Sequence, residues 1–211
     1  MEFYDAFKAC PLVAILRGIR PEEIDGVSDA LVEAGFRIIE VPLNSPEPLR
    51  SIERLAQRHG EAALIGAGTV MTTDDVIDVR DAGGQLIVMP HTDLEIIEEA
   101  NAEGLTCLPG CATPTEGFSA LAAGADGLKL FPGEALPPKI VKAWRTVFPS
   151  ETRMFIVGGV NDANMADYVA AGASGFGIGS SLYSPGRTAS DIAKRGRELL
   201  LAYNHALGAV Q

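Results

Sequence analysis

The stretch Ala122-Ala123-Gly124-Ala125-Asp126-Gly127-Leu128-Lys129-Leu130-Phe131-Pro132 passes from a helix end into a short apolar strand. Gly124 can take the left-handed conformation that stops a helix. Gly127 to Leu130, closed off by Pro132, reads as a buried β-strand. The same helix-stop signature recurs at Glu33-Ala34-Gly35, Asp81-Ala82-Gly83 and Ala170-Ala171-Gly172. Strand patterns fall at Leu12 to Leu16, Ile38 to Pro42, Ala63 to Gly66, Leu86 to Met89, Thr106 to Leu108, Gly127 to Leu130, Met154 to Val157 and Gly175 to Ile178. They are spaced roughly 20–27 residues apart, and each is followed by a helical pattern. Helix starts are signalled at Arg20-Pro21-Glu22-Glu23, Thr73-Asp74-Asp75 and Asn161-Asp162-Ala163-Asn164.

Regular β/α alternation implies a parallel sheet. Eight units favour a closed (β/α)8 TIM barrel over an open, doubly wound sheet, which the same alternation would also permit. A short N-terminal helix precedes the first strand, and a long helical region from Thr188 to Leu207 packs outside. No linker or low-complexity segment divides the chain, so residues 1–211 are expected to form a single barrel domain.

Composition narrows the function. The net charge of −11 argues against nucleic-acid binding, which needs a concentrated basic face. A small anionic substrate remains compatible, because backbone N–H groups and one or two cations can hold phosphate on an acidic protein. No apolar run reaches the length of a membrane span. Met1-Glu2-Phe3-Tyr4-Asp5 lacks the regions of a signal peptide, so a cytoplasmic protein is expected. Cys10, Cys107 and Cys111 are an odd set without a zinc pattern and read as small buried side chains. No acidic and histidine set has metal-ligand spacing and no Gly-x-Gly-x-x-Gly follows the first strand, so neither a metal nor another cofactor is expected.

Side chains alternate along a strand, so Gly127, Lys129 and Phe131 share one face while Leu128 and Leu130 share the other. If the leucines pack under a helix, an ammonium points into the barrel. Burial lowers a lysine pKa, and a neutral amine can attack a carbonyl to form a Schiff base. The plainer reading is a lysine snorkelling from a strand end.

Chemistry in barrels of this kind lies at the C-terminal strand ends. There the chain presents Arg17, Glu40, Thr69, Pro90, Lys129, Gly158-Gly159 and Gly179-Ser180. Strands two and six are opposite in a ring of eight, so Glu40 and Lys129 can face one another across the mouth. A carboxylate opposite an imine-forming amine can move protons; the plainer reading of Glu40 is a salt bridge with a neighbouring cation. After strands seven and eight, Val157-Gly158-Gly159-Val160-Asn161 and Gly177-Ile178-Gly179-Ser180-Ser181 fall where such barrels usually cradle a phosphate; the plainer reading of either one alone is a turn. His91 follows Pro90 at the mouth, within possible reach of a substrate.

Together Ala14-Ile15-Leu16-Arg17-Gly18-Ile19, Glu40-Val41-Pro42-Leu43-Asn44-Ser45-Pro46, Ile65-Gly66-Ala67-Gly68-Thr69-Val70, Pro109-Gly110-Cys111-Ala112-Thr113, Leu128-Lys129-Leu130-Phe131-Pro132 and Val157-Gly158-Gly159-Val160 resemble the bacterial keto-deoxy-phospho-sugar aldolases. Their 2-dehydro-3-deoxy-6-phosphogalactonate branch is the nearest in likeness, and the motifs follow family order over nearly the whole chain. The resemblance implies a class I, metal-independent carbon–carbon lyase acting on a phosphorylated keto-acid sugar and assembling as a homotrimer. It implies that Lys129 forms the Schiff base at C2 and that Glu40 shuttles protons during carbinolamine dehydration and at the C4 hydroxyl. It puts Gly158, Gly159, Gly179 and Ser180 at the phosphate, Thr69 and Pro90 beside the pyruvate part, and Phe131 beside the imine.

Gluconate-specific sisters carry Thr-Leu-Arg, whose arginine resembles a carboxylate clamp, where this chain has Pro42-Leu43-Asn44; the resemblance to the galactonate branch implies that Arg17 takes that place. They also carry threonine where Val157 stands, a difference that bears on C4 recognition. The same cleavage of the gluconate epimer is the nearest alternative. A phosphate-gripping barrel isomerase without an imine is a more distant one, and a non-catalytic sugar-phosphate binding module the last.

Overall fold

The computed structural model describes residues 1–209 of the 211-residue chain. After helix α1 (Phe3–Ala9), parallel strands alternate with helices: β1 (Leu12–Ile15), α2 (Ile24–Ala34), β2 (Ile38–Pro42), α3 (Pro48–His59), β3 (Leu64–Gly68), α4 (Thr73–Asp81), β4 (Leu86–Val88) and α5 (Leu94–Ala102). The second half continues with β5 (Thr106–Leu108), β6 (Gly110–Cys111), α6 (Pro114–Ala122), β7 (Leu128–Leu130), α7 (Pro138–Arg145), β8 (Met154–Val157), α8 (Met165–Ala170), β9 (Gly175–Ile178) and α9 (Ala189–Gly208). The helix-stop glycines Gly35, Gly83, Gly124 and Gly172 all have φ between 83° and 113°, where a side chain would be strained.

Strand pairing runs β5-β4-β3-β2-β1-β9-β8-β7-β6, all parallel. β5 and β6 are one barrel strand interrupted at Pro109, which has no N–H for the ladder. Met89 N–H donates to Leu108 O on one side (3.2 Å), while Lys129 and Phe131 N–H donate to Pro109 O (2.9 Å) and Cys111 O (3.1 Å) on the other. These bonds close the ring, giving the TIM barrel of eight strands. The third strand runs two residues further than its apolar pattern suggests, to Gly68, because its end consists of glycine and alanine rather than bulky side chains.

Two apolar layers follow from the alternation of side chains. Outward residues such as Ile39, Ile65, Ile87, Leu128, Leu130, Ile156 and Phe176 pack under the helices. Inward residues Val13, Ile38, Leu64, Leu86, Leu108 and Phe155 fill the lower barrel, and α1 plugs its base with Phe3 and Phe7. A polar group pointing inward above this plug therefore sits on a dry floor. All three cysteines are buried in the outer layer, where burial pushes the Cys107 and Cys111 thiols up to about 12. No helix among the described residues is long and apolar enough to cross a membrane.

Candidate active site

Lys129 points inward from the middle of β7 and is 6% exposed. Its neighbours Leu128 and Leu130, fully buried under the helices, fix that direction. The Nζ stands 4.9 Å from the centroid of the Phe131 ring, on the same face two residues on. Burial lowers the lysine pKa; Arg17 lowers it further and the Glu40 charge opposes the shift.

Glu40 points inward from β2 and is 1% exposed. Burial raises its pKa to about 7 against the opposing influence of Lys129 and Arg17. Its Oε2 has no hydrogen-bond partner among the described residues. A buried acceptor left open in this way is costly, and such groups gather where a ligand supplies the partner. The two side chains thus lie on one enclosed face, each altering the proton affinity of the other.

Gly68 makes room for the carboxylate, a role the sequence reading missed. A Cβ at position 68 would stand 1.9 Å from Glu40 Oε2 and 2.4 Å from Oε1. The available signal was the pair Gly66 and Gly68 on the inward face of the strand beside Glu40, since glycine in a strand marks close approach. The next residue, Thr69, has φ 58°, a left-handed conformation rare for a β-branched residue and frequent at functional sites.

Arg17 extends over the mouth from the end of β1. Its guanidinium donates to Asn44 Oδ1 at 2.6 Å and approaches Thr69 Oγ1 at 3.4 Å, so the loops after β1, β2 and β3 meet there. Pro90 lies past the end of β4 against Gly110, where an added Cβ would be 2.5 Å from the Pro90 carbonyl carbon. His91 beside it has a buried Nδ1 without a partner among the described residues.

A cleft of about 400 Å³ opens over the ends of β1, β8 and β9, lined by Arg17, Phe131, Val157, Gly158, Gly159, Gly179 and Ser180 among the residues expected at the site. Lys129, Glu40, Thr69 and Pro90 do not line this cleft. Gly158 and Gly159 have φ of 110° and 67°. Gly179 differs: its conformation suits any residue, and a Cβ there would meet nothing within 4 Å. The fold does not demand glycine at 179, but a close-fitting ligand would. The Gly159, Ser180 and Ser181 N–H groups donate to no acceptor among the described residues and are available to an anion.

The lining also includes Glu134, which the sequence reading did not single out. It follows Phe131-Pro132-Gly133 on a single 3-10 turn, anchored where Tyr168 Oη donates to Gly133 O at 3.1 Å. The carboxylate leans on the glycine turn, so that a Cβ at Gly158 would come within 2.4 Å of Glu134 Oε2. Nothing in its local sequence distinguishes it from a surface glutamate.

A family model for KDPG and KHG aldolase matches residues 4–195. Over 95% of each chain, the sequence is 48% identical to a probable 2-dehydro-3-deoxy-6-phosphogalactonate aldolase of Rhizobium meliloti. It is 44% identical to the 2-dehydro-3-deoxy-6-phosphogalactonate aldolase of Escherichia coli, over 93% of this chain and 96% of that one. A solved structure described as native KDPGal superposes with a TM-score of 0.92 at 44% identity, covering 94% of this chain and 96% of the other.

Proposed function

The chain belongs to the KDPG and KHG aldolase family, and from that premise we propose that it cleaves 2-dehydro-3-deoxy-6-phosphogalactonate to pyruvate and D-glyceraldehyde 3-phosphate through a Schiff base on Lys129. The observation that carries the chemistry is the buried pair: an amine with a depressed pKa and a carboxyl with a raised one, on a dry face beside an anion-ready cleft. Neutral Lys129 adds to the C2 ketone, and loss of water gives a protonated imine. Its positive charge draws electrons as the C3–C4 bond breaks, while Glu40 takes the proton of the C4 hydroxyl. Glyceraldehyde 3-phosphate leaves, C3 of the enamine is protonated, and hydrolysis frees pyruvate and the amine.

Phosphate held in the cradle of Gly158, Gly159, Gly179 and Ser180, far from the reacting bond, positions C4 for cleavage. Arg17 serves as the carboxylate clamp; its bond to Asn44, at the position where sister enzymes carry arginine, supports the exchange. Thr69 and Pro90 border the pyruvate part, and Phe131 covers the imine. Homotrimeric assembly and a cytoplasmic setting complete the proposal, and sedimentation would check the first at three times the chain mass.

Borohydride reduction with pyruvate present should leave a covalent adduct on Lys129; an isomerase or simple binding module would leave none. Comparison of the two C4 epimers tests the substrate. The galactonate epimer should be cleaved at least ~tenfold more efficiently, and Val157→Thr should narrow that ratio, because one contact at C4 is worth about 1–3 kcal/mol. A preference for the gluconate epimer would reverse the assignment.

Gly179→Ala tests the phosphate end. The substitution meets no atom and should leave the melting temperature unchanged or slightly raised. It should nonetheless raise KM for phosphorylated substrate by about tenfold, since a methyl group would occupy the space of a phosphate oxygen. An unchanged KM would remove Gly179 from the cradle.

A further inference from the structure

We propose that Arg195, outside the cleft on α9, is a positioning residue that sets the phosphate cradle by holding its two loops together; this rests on the phosphate reading above. The loops follow β8 (residues 158–164) and β9 (residues 179–188), and come from separate β/α units. Arg195 Nε donates to Ser181 O at 3.0 Å in one loop, and its Nη2 donates to Asp162 Oδ1 at 2.6 Å in the other. The remaining arm donates to Glu198 Oε2 at 3.2 Å, one turn along α9. Ser181 Oγ adds a direct bond between the loops, donating to Val160 O at 3.0 Å. Arg195 lines a separate groove of about 240 Å³ and has no place in the lining of the cleft, so it acts through the loops.

Peptide geometry gives the staple a function. Leu182 and Tyr183 N–H both donate to Gly179 O (2.8 and 2.9 Å), winding residues 179–183 into a helix-like turn. In such a turn the carbonyls point one way and the leading N–H groups the other. Arg195 holds the Ser181 carbonyl at the far end, and Arg187 Nη1 donates to the Leu182 carbonyl at 2.7 Å. The Ser180 and Ser181 N–H groups at the near end are thereby aimed at the cleft and made better donors. A planar fork of fixed geometry suits this task; a lysine supplies one point charge and cannot bridge both loops with the same precision.

The test compares Arg195→Ala and Arg195→Lys with the unaltered enzyme in the condensation direction, using pyruvate with either D-glyceraldehyde 3-phosphate or unphosphorylated D-glyceraldehyde. Arg195→Ala should lower the ratio of kcat/KM between the two aldehydes by about tenfold, mostly through KM for the phosphorylated one. Borohydride trapping of pyruvate should be unaffected, and Arg195→Lys should recover part of the ratio. Asp162→Ala, which cuts one arm at an exposed loop residue, should shift the ratio the same way by a smaller factor. An equal loss with both aldehydes, or a fall in melting temperature with the ratio intact, would overturn the positioning role. Gly179→Ala separates the two readings. If it lowers the ratio and Arg195→Ala does not, only the staple fails; if neither does, the phosphate reading fails and takes the staple with it.

Discussion

Lys129→Met will abolish cleavage, by at least about 10⁴-fold, while leaving the barrel folded and at pH 6 no less stable than the parent. The first half follows from the covalent role proposed for the amine, since methionine fills the same space and has no nucleophilic nitrogen. The second half follows from the cost of the lysine. An unfolded chain keeps it protonated up to about pH 10.4, whereas the folded site, dry on its lower side, lowers that value. Between the two values the unfolded chain binds more protons, so this group weakens the fold at neutral pH and the deficit shrinks as pH rises toward the unfolded value. Methionine removes the deficit.

The opposing effect is the carboxyl left behind, because deleting one member of a buried pair strands the other. Glu40 escapes that penalty at pH 6, where a group with a pKa of about 7 is already mostly neutral. The stability advantage of Lys129→Met should therefore narrow or reverse above pH 8, where Glu40 must be ionised without its neighbour or take up a proton. Urea midpoints at pH 6 and pH 8.5, with borohydride trapping as the check on imine formation, read both halves. Retained cleavage would end the Schiff-base mechanism, and an unfolded variant at pH 6 would make the lysine a structural group.

The frame was legible because its signals are local. Glycine after a helix, an apolar run of three to five residues and a capping residue each depend on their immediate neighbours, and all four helix-stop glycines have the positive φ expected of them. Lys129 and Glu40 were legible for the same reason: strand parity aims them inward wherever the flanking residues are apolar. Closure of the ring was not, because it depends on Pro109 sitting between a bond to β4 and a bond to β7. Glu134 and Arg195 were missed because their partners lie about 24 and 14–33 residues away, at turns whose path no local pattern specifies. Gly68 lies between these cases, its spacing visible but its purpose apparent only against the carboxylate it accommodates.

Glu40→Gln will lower kcat by about 10²–10⁴-fold and erase the acid limb of the pH profile, while the pyruvate imine still forms, more slowly. To take the C4 proton Glu40 must be ionised, and burial has raised its pKa from 4.5 to about 7. In the parent enzyme kcat/KM should accordingly climb as pH rises through about 7, where an unperturbed glutamate would already be flat. Glutamine fits the same notch against Gly68 but has no basic oxygen. Its loss of charge also withdraws an influence that keeps the Lys129 pKa up, so trapping of the pyruvate imine should begin at lower pH in the variant. Stability supplies an independent reading with a definite sign. The folded state holds a proton on Glu40 that the unfolded chain has released between pH 4.5 and about 7, so this group's contribution is present below that window and is lost as pH rises through it. Glutamine mimics the protonated form at every pH, and the variant's stability relative to the parent should grow from pH 4.5 to pH 8. A variant that kept the acid limb would assign the proton transfer to another group, and one whose stability gap stayed constant with pH would mean that Glu40 is ionised as readily in the barrel as in the unfolded chain.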